Sequence, residues 1–192
     1  TLLLEYMTYG GLPQVVTMTD TQQKVEICKI FFHTYIKDIK ERYDVQKDDD
    51  LEELINLIAS NIGSLTNPSK IANCFNSIKK SNLSKDTIKI YLDLLQDAFL
   101  IEKSIRYDIK GKKYIDTPSK YYFSDLGLRN ARLDFRQTEF THLLENTIYN
   151  ELRLRGFSVD VGQYPIMTTN VEGKRQRTTL EVDFVCNQGY KR

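Results

Sequence analysis

Three carboxylates and a set of lysines are the residues of this 192-residue chain whose types and spacing could do chemistry. Glu181 and Asp183 stand two apart in residues 179–186, a run that reads as a strand because Leu180, Val182, Phe184 and Cys186 alternate with Glu181, Asp183 and Val185. Successive side chains of a strand point to opposite faces, so both carboxylates are expected on one face. Paired carboxylates away from water need a cation or another partner, since an unpaired buried charge is costly. Glu145, on a helix expected upstream, is placed to join them around a hard divalent metal that takes oxygen ligands and activates water. The competing reading is a solvated strand face whose acids pair with Lys174, Arg175 or Arg177.

The second candidate is basic. Residues 70–89 carry Lys70, Lys79, Lys80, Lys85 and Lys89 against Asp86 alone, and residues 103–120 carry Lys103, Arg106, Lys110, Lys112, Lys113 and Lys120 against Asp108 and Asp116. The net charge of +1 hides this segregation: residues 1–69 hold 6 Lys/Arg against 11 Asp/Glu, and residues 70–192 hold 21 against 15. A basic surface suits a polyanion because neutralised phosphates release their counterions. Lys79, Lys80, Lys85, Lys89, Lys110, Lys112 and Lys113 are the expected nucleic-acid contacts, with DNA as the partner. Low sequence specificity is expected, because the helix over 84–99 also exposes Asp93, Gln96 and Asp97 and offers no Arg or Asn to read base edges. The alternative is a protein-contact module.

These residues must be positioned by elements that the apolar spacing lays out. Residues 21–43 keep helical period through Val25, Cys28, Phe31, Phe32, Tyr35, Ile36, Ile39 and Tyr43, with Asp20 and Gln23 as an N-cap pair. Leu51, Leu54, Ile55 and Ile58 mark the next helix, led by Asp48, Asp49 and Asp50 and ended by Gly63. A short helix carries Ile71, Ala72, Phe75 and Ile78, and Ser84 caps a third whose buried face is Ile88, Tyr91, Leu92, Leu95 and Phe99. Two extended runs, 101–108 and 113–123, follow and are joined through Lys110, Gly111 and Lys112. Three helices and a basic hairpin predict a winged helix-turn-helix. Residues 124–137 read as a polar connector, and Phe140, Leu143, Leu144, Ile148 and Leu152 as a helix that stops at Gly156. Extended pieces over 157–161 and 164–168 and a turn over 171–177 lead to the acidic strand. The predicted class is α+β: a helical segment over 1–50, a winged helix-turn-helix over 51–123 and an incomplete α/β unit over 124–192.

Several chemistries are excluded or weakened. No phosphate loop of the form G-x-x-x-x-G-K-[ST] occurs, so these residues do not bind ATP through one. His33 and His142 have no second His or Cys at ligand spacing, and Cys28, Cys74 and Cys186 read as free thiols among apolar neighbours. No run approaches the ~20 apolar residues of a membrane-spanning helix, and no signal pattern opens the chain, so a cytoplasmic protein without membrane contact is expected. The weakly patterned start, without an initiator Met, reads as cut from something longer.

Six stretches in order resemble the C-terminal region of a large prokaryotic family of P-loop ATPases of the AAA type. They begin at Tyr9 (YGGLP), Pro68 (PSKI), Lys110 (KGKKY), Lys120 (KYYFSDLGLRN), His142 (HLLEN) and Leu180 (LEVDFV). The resemblance implies an ATPase module upstream of Thr1, using ATP and Mg there, then a winged helix, then a truncated restriction-endonuclease-like domain. In that nuclease fold a helix Glu, a strand Asp and a following acidic-x-Lys strand bind metal and activate water. Glu145 matches the helix acid and Asp183 the strand acid, with Glu181 as a neighbour. The acidic-x-Lys element is missing, because Lys191 is the only lysine beyond Asp183 and Gly189 stands two before it. The resemblance therefore implies a catalytically incomplete unit with no cofactor of its own. A divalent metal at Glu145 and Asp183, in a metal-dependent DNA nuclease, is the alternative.

Overall fold

Acidic first turns, Asp and Ser caps and helical apolar spacing decide where this chain starts its helices and which side they bury. The computed structural model describes residues 1–79, 83–136, 139–169 and 174–189. Among these, α1 (Leu2–Tyr9), α2 (Pro13–Val16), α3 (Thr21–Arg42), α4 (Asp48–Ser60), α5 (Pro68–Lys79) and α6 (Lys85–Asp97) precede a hairpin of β1 (Ile101–Asp108) and β2 (Lys113–Phe123). Then α7 (Leu126–Arg132) and α8 (Phe140–Leu154) lead to a second hairpin, β3 (Ser158–Thr169) and β4 (Arg175–Asn187).

Asp20 accepts from the Gln23 amide at 2.8 Å and Ser84 from the Thr87 amide at 3.1 Å, so α3 and α6 begin on side-chain caps. Asp48, Asp49 and Asp50 fill the first turn of α4, where the helix dipole favours negative charge. One core gathers Cys28, Phe32 and Ile36 of α3, Leu51 and Ile55 of α4, Ile71 and Phe75 of α5, and Ile88 and Leu92 of α6. Phe99 departs from expectation. It stands past the end of α6 with φ 58° and is 75% exposed, because the left-handed turn after the helix throws it outward.

The two hairpins build one mixed sheet of order β2-β1-β3-β4. Each hairpin is antiparallel, and Arg106, Tyr107 and Asp108 of β1 pair in parallel with Val161, Gly162 and Gln163 of β3. Sheet hydrogen bonds therefore cross position 123/124, where the sequence placed a boundary, and the expected wing is half of a larger sheet. Parallel neighbours need a crossover, which α7 and α8 supply. The two expected extended pieces run together as β3. Gly162, between the two pieces, lets β4 pack close against β3, since a Cβ there would lie 2.8 Å from Val185 and 2.9 Å from Val182.

The stretch expected as a polar connector holds α7, with Leu126 through Ala131 all buried. Its polar groups serve helix ends rather than water. Asn130 donates to the Met7 and Thr8 carbonyls of α1 at 2.9 and 2.8 Å, and Arg129 Nε donates to the Ala59 carbonyl of α4 at 2.8 Å. Those carbonyls belong to last turns, which have no partner inside their own helices. Burial pulls the Arg129 guanidinium down to about 10. Asp125 caps α7 through the Leu128 amide at 3.0 Å and also accepts from the Gly11 amide at 2.8 Å.

Candidate functional site

The second half of β2, Lys120 to Phe123, is wholly buried. Alternation sends Tyr121 and Phe123 into the helical core and leaves Lys120 and Tyr122 on the opposite face, which α8 covers. Asn146 sets how α8 sits there. The Phe123 amide donates to Asn146 Oδ1 at 2.9 Å and Asn146 Nδ2 donates to the Phe123 carbonyl at 2.8 Å, so one side chain pairs with the strand end as a neighbouring strand would. Those bonds rotate α8 away from the expected apolar face: Leu143, Asn146 and Tyr149 are buried, while Phe140 and Ile148 are exposed. Glu145 and Tyr149, one turn apart, then both address β2. Tyr149 stacks on Tyr122 with ring centroids 4.2 Å apart.

Glu181 and Asp183 arrive from β4 through a break in the expected alternation. Asp160 pairs with Val185 and Gly162 with Val182, so Asp183 and Phe184 together oppose the single residue Val161. A bulge of this kind turns both of its residues to one side. Val182 and Val185 both abut Gly162 on the other side. The expectation that Phe184 faces away from the two acids is thereby corrected; its ring lies 6.4 Å from that of Tyr122.

At the centre stands Lys120. Its Nζ lies 2.9 Å from Glu145 Oε1, 2.7 Å from Glu181 Oε1 and 3.1 Å from Asp183 Oδ1. Tyr122 donates its hydroxyl to Glu145 Oε1 at 2.7 Å. The side chains run from inside to outside, with Lys120 3%, Glu145 17%, Glu181 38% and Asp183 61% exposed. Burial pulls the lysine pKa down, yet the hydrogen bonds to Glu181 and Glu145 outweigh it and raise the ammonium to about 12. Burial first, then the charge of Glu145, pushes the Tyr122 phenol up, so it stays a neutral donor. Gly63 closes over Glu145 with φ 70°, and a Cβ there would lie 2.9 Å from both carboxylate oxygens. Thr66 and Ser119 exchange backbone hydrogen bonds of 2.9 and 2.8 Å that tie this loop to β2.

The three acids the sequence singled out thus meet, but around an ammonium. A magnesium ion would need oxygens at about 2.0–2.1 Å in near-octahedral array. The space between the acids is filled by Nζ at hydrogen-bond distances, and among the described residues no group of three or more His, Cys, Asp or Glu is placed to hold a metal ion. As arranged, these residues do not fit the metal that the resemblance implies. Sequence reasoning counted Lys120 with the hairpin lysines. The signal that separates it is the run Tyr121, Tyr122, Phe123 directly after it, for a lysine leading a buried aromatic strand must find carboxylates.

The remaining basic residues stay apart from this cluster. Lys85 and Lys89 are exposed on α6, and Lys110, Lys112 and Lys113 are exposed at the β1–β2 turn. Among the described residues none of these five forms an ion pair. Lys80 and the side chain of Lys79 lie outside the described residues. Asp108 holds the turn by accepting from the Gly111 amide at 2.8 Å. Ser69, Lys85, Lys89 and Thr117 line a groove of about 300 Å³. A second groove of about 590 Å³ lies between the turn and the β3–β4 hairpin, lined by Lys110, Arg177, Tyr164 and Met167. Cys28, Cys74 and Cys186 are free thiols. No helix among the described residues is long and apolar enough to cross a membrane.

An uncharacterized protein of Haemophilus influenzae is 40% identical over 162 residues, which is 84% of this chain and 40% of that protein. An uncharacterized protein of Methanocaldococcus jannaschii is 28% identical over 184 residues, 95% of this chain and 38% of that protein. The chain thus spans about two fifths of the length of the curated relatives it matches. No solved structure matches it. A family model matches residues 1–139, which takes in Lys120 and Tyr122 and stops short of Glu145, Glu181 and Asp183. On that match the chain belongs to the family described as Domain of unknown function (DUF8612).

Proposed function

We propose that this chain is a non-catalytic region of a longer ATPase-type protein and contacts the DNA backbone through its helix–hairpin part. The observation that carries the reading is the set of exposed lysines without ion pairs: Lys85 and Lys89 on α6, and Lys110, Lys112 and Lys113 on the β1–β2 turn. The element order α4, α5, α6, β1, β2, three helices and then a hairpin, supports a winged helix-turn-helix reading, in which the third helix lies on the duplex and the wing on neighbouring phosphates. Tyr114 and Tyr164, 51% and 42% exposed, add aromatic surface beside the turn. The mixed charge of α6 supports backbone contact over base reading. The greater length of the relatives leaves room for the ATPase module that the resemblance implies.

Fluorescence anisotropy with a random-sequence duplex between 50 and 200 mM salt tests this. Binding should weaken steeply with salt, by a log–log slope of about −0.9 for each phosphate neutralised. Reversing charge at Lys110, Lys112 and Lys113 together should weaken it further and flatten the slope by about three. Absent or salt-insensitive binding would sink the DNA reading and favour a protein-contact role. The convergence of Glu145, Glu181 and Asp183 on Lys120 weighs against the alternative of a metal-dependent DNA nuclease, since the ammonium fills the space between the acids.

A further inference from the structure

We infer that Lys120 is a built-in counter-cation: its ammonium takes the place of a divalent metal among Glu145, Glu181 and Asp183, and removing its charge opens the cluster to one. The inference stands apart from DNA binding and concerns the opposite face of the sheet. Its basis is geometric. Three carboxylate oxygens from α8 and β4 surround one nitrogen delivered by β2 at 2.7–3.1 Å. Three formal negative charges face one positive charge, so the ammonium balances the acids only in part. Glu181 and Asp183 reach solvent, which gives an ion a route in from the β4 side. Bulge, stack and amide clamp hold the acids independently of the lysine. The bulge at Asp183 and Phe184 orients β4, while the Asn146 bonds and the Tyr149 stack orient α8. Deleting the charge therefore leaves oxygen ligands with no cation among them.

The test uses Mn²⁺ as the probe and the full chain as the protein. Lys120→Met keeps most of the apolar stem and deletes the charge. Melting is measured in chelator and in Mn²⁺ at about tenfold excess over its Kd, with calorimetry for stoichiometry. The wild type should melt at the same temperature in both. Lys120→Met should melt lower in chelator and regain about 4 °C with one Mn²⁺ bound. Adding Asp183→Asn should abolish that gain, and Lys120→Arg should remain blind to Mn²⁺. The inference is overturned if the wild type is stabilised by Mn²⁺ in a manner lost on Asp183→Asn, or if folded Lys120→Met takes up no Mn²⁺. Should Lys120→Met not fold in chelator, Lys120→Met with Glu181→Gln removes one repelling carboxylate and carries the same pair of outcomes.

Discussion

Lys113 opens β2 and Lys120 lies in its buried second half, yet one strand uses the two lysines in opposite ways. Lys113 stands beside Lys110 and Lys112 on an exposed turn, with no ion pair among the described residues. Lys120 is enclosed by three carboxylates. What separates them is the company of the strand. Near Lys113 the strand has β1 as neighbour and water on its faces; near Lys120 it lies between the helical core and α8. The same residue type is a free surface charge at one end, available to a partner, and a structural cation at the other. Neutralising one should therefore cost stability, and neutralising the other should cost binding.

The largest effect expected is at the buried end. Lys120→Met leaves three carboxylates without their cation, a kind of loss that costs about 3–5 kcal/mol when both partners are buried. Exposure of Glu181 and Asp183 lets water share the load, so about 3 kcal/mol is expected, read from urea denaturation midpoints. The folded pKa of Lys120 is raised to about 12, above its unfolded value near 10.4. Its contribution is thus whole below about pH 10 and is lost as pH rises through 12, so the gap between wild type and Lys120→Met should close only in strong alkali. A gap already closed at pH 8 would mean that the ammonium does not hold this cluster. Asn146→Ala comes next. It strips the Asn146 partner from the buried amide of Phe123 and one of two donors from its carbonyl, which keeps Asn150 at 3.0 Å, and frees α8 to rotate, at about 2 kcal/mol. If the Tyr149 stack alone positions α8, that loss will fall below about 1 kcal/mol. Gly63→Ala should cost about 1–2 kcal/mol, since the added methyl meets the Glu145 carboxylate at a left-handed backbone position.

Which parts of this could be read in advance follows from the range of the interactions. Asp20, Asp48 to Asp50 and Ser84 act within one helical turn, so α3, α4 and α6 and, Phe99 apart, their buried faces were legible from local pattern. The pairing of β1 with β3 joins Arg106 to Val161 across two intervening helices, and no local pattern encodes it. The bulge at Asp183 and Phe184 hides inside an apparently unbroken alternation, because the extra residue is defined by the partner strand. Asn146 rotates α8 by pairing with Phe123, which hydrophobic period cannot register. Of the site, the acidic pair was legible as types on a strand, while Lys120 was masked by the other lysines around it. Its aromatic neighbours were the usable clue, and α7 shows the same signature, with Arg129 and Asn130 set among Leu126, Leu128 and Ala131.

The smallest stability effect belongs to the exposed end, and it bears most directly on what the turn is for. Lys112→Ala and Lys113→Ala remove charges without an ion pair among the described residues, so stability should stay within about 0.5 kcal/mol of the wild type. Asp108 fixes the turn by accepting from the Gly111 amide, and Lys110, Lys112 and Lys113 lie exposed around it. Each of these variants should lose duplex affinity at low salt while its urea midpoint is unchanged, the reverse of Lys120→Met, whose loss should appear in the midpoint first. A fall of more than 1 kcal/mol on substituting Lys113 would show that the turn lysines hold structure too, and the contrast between the two ends of β2 would then dissolve.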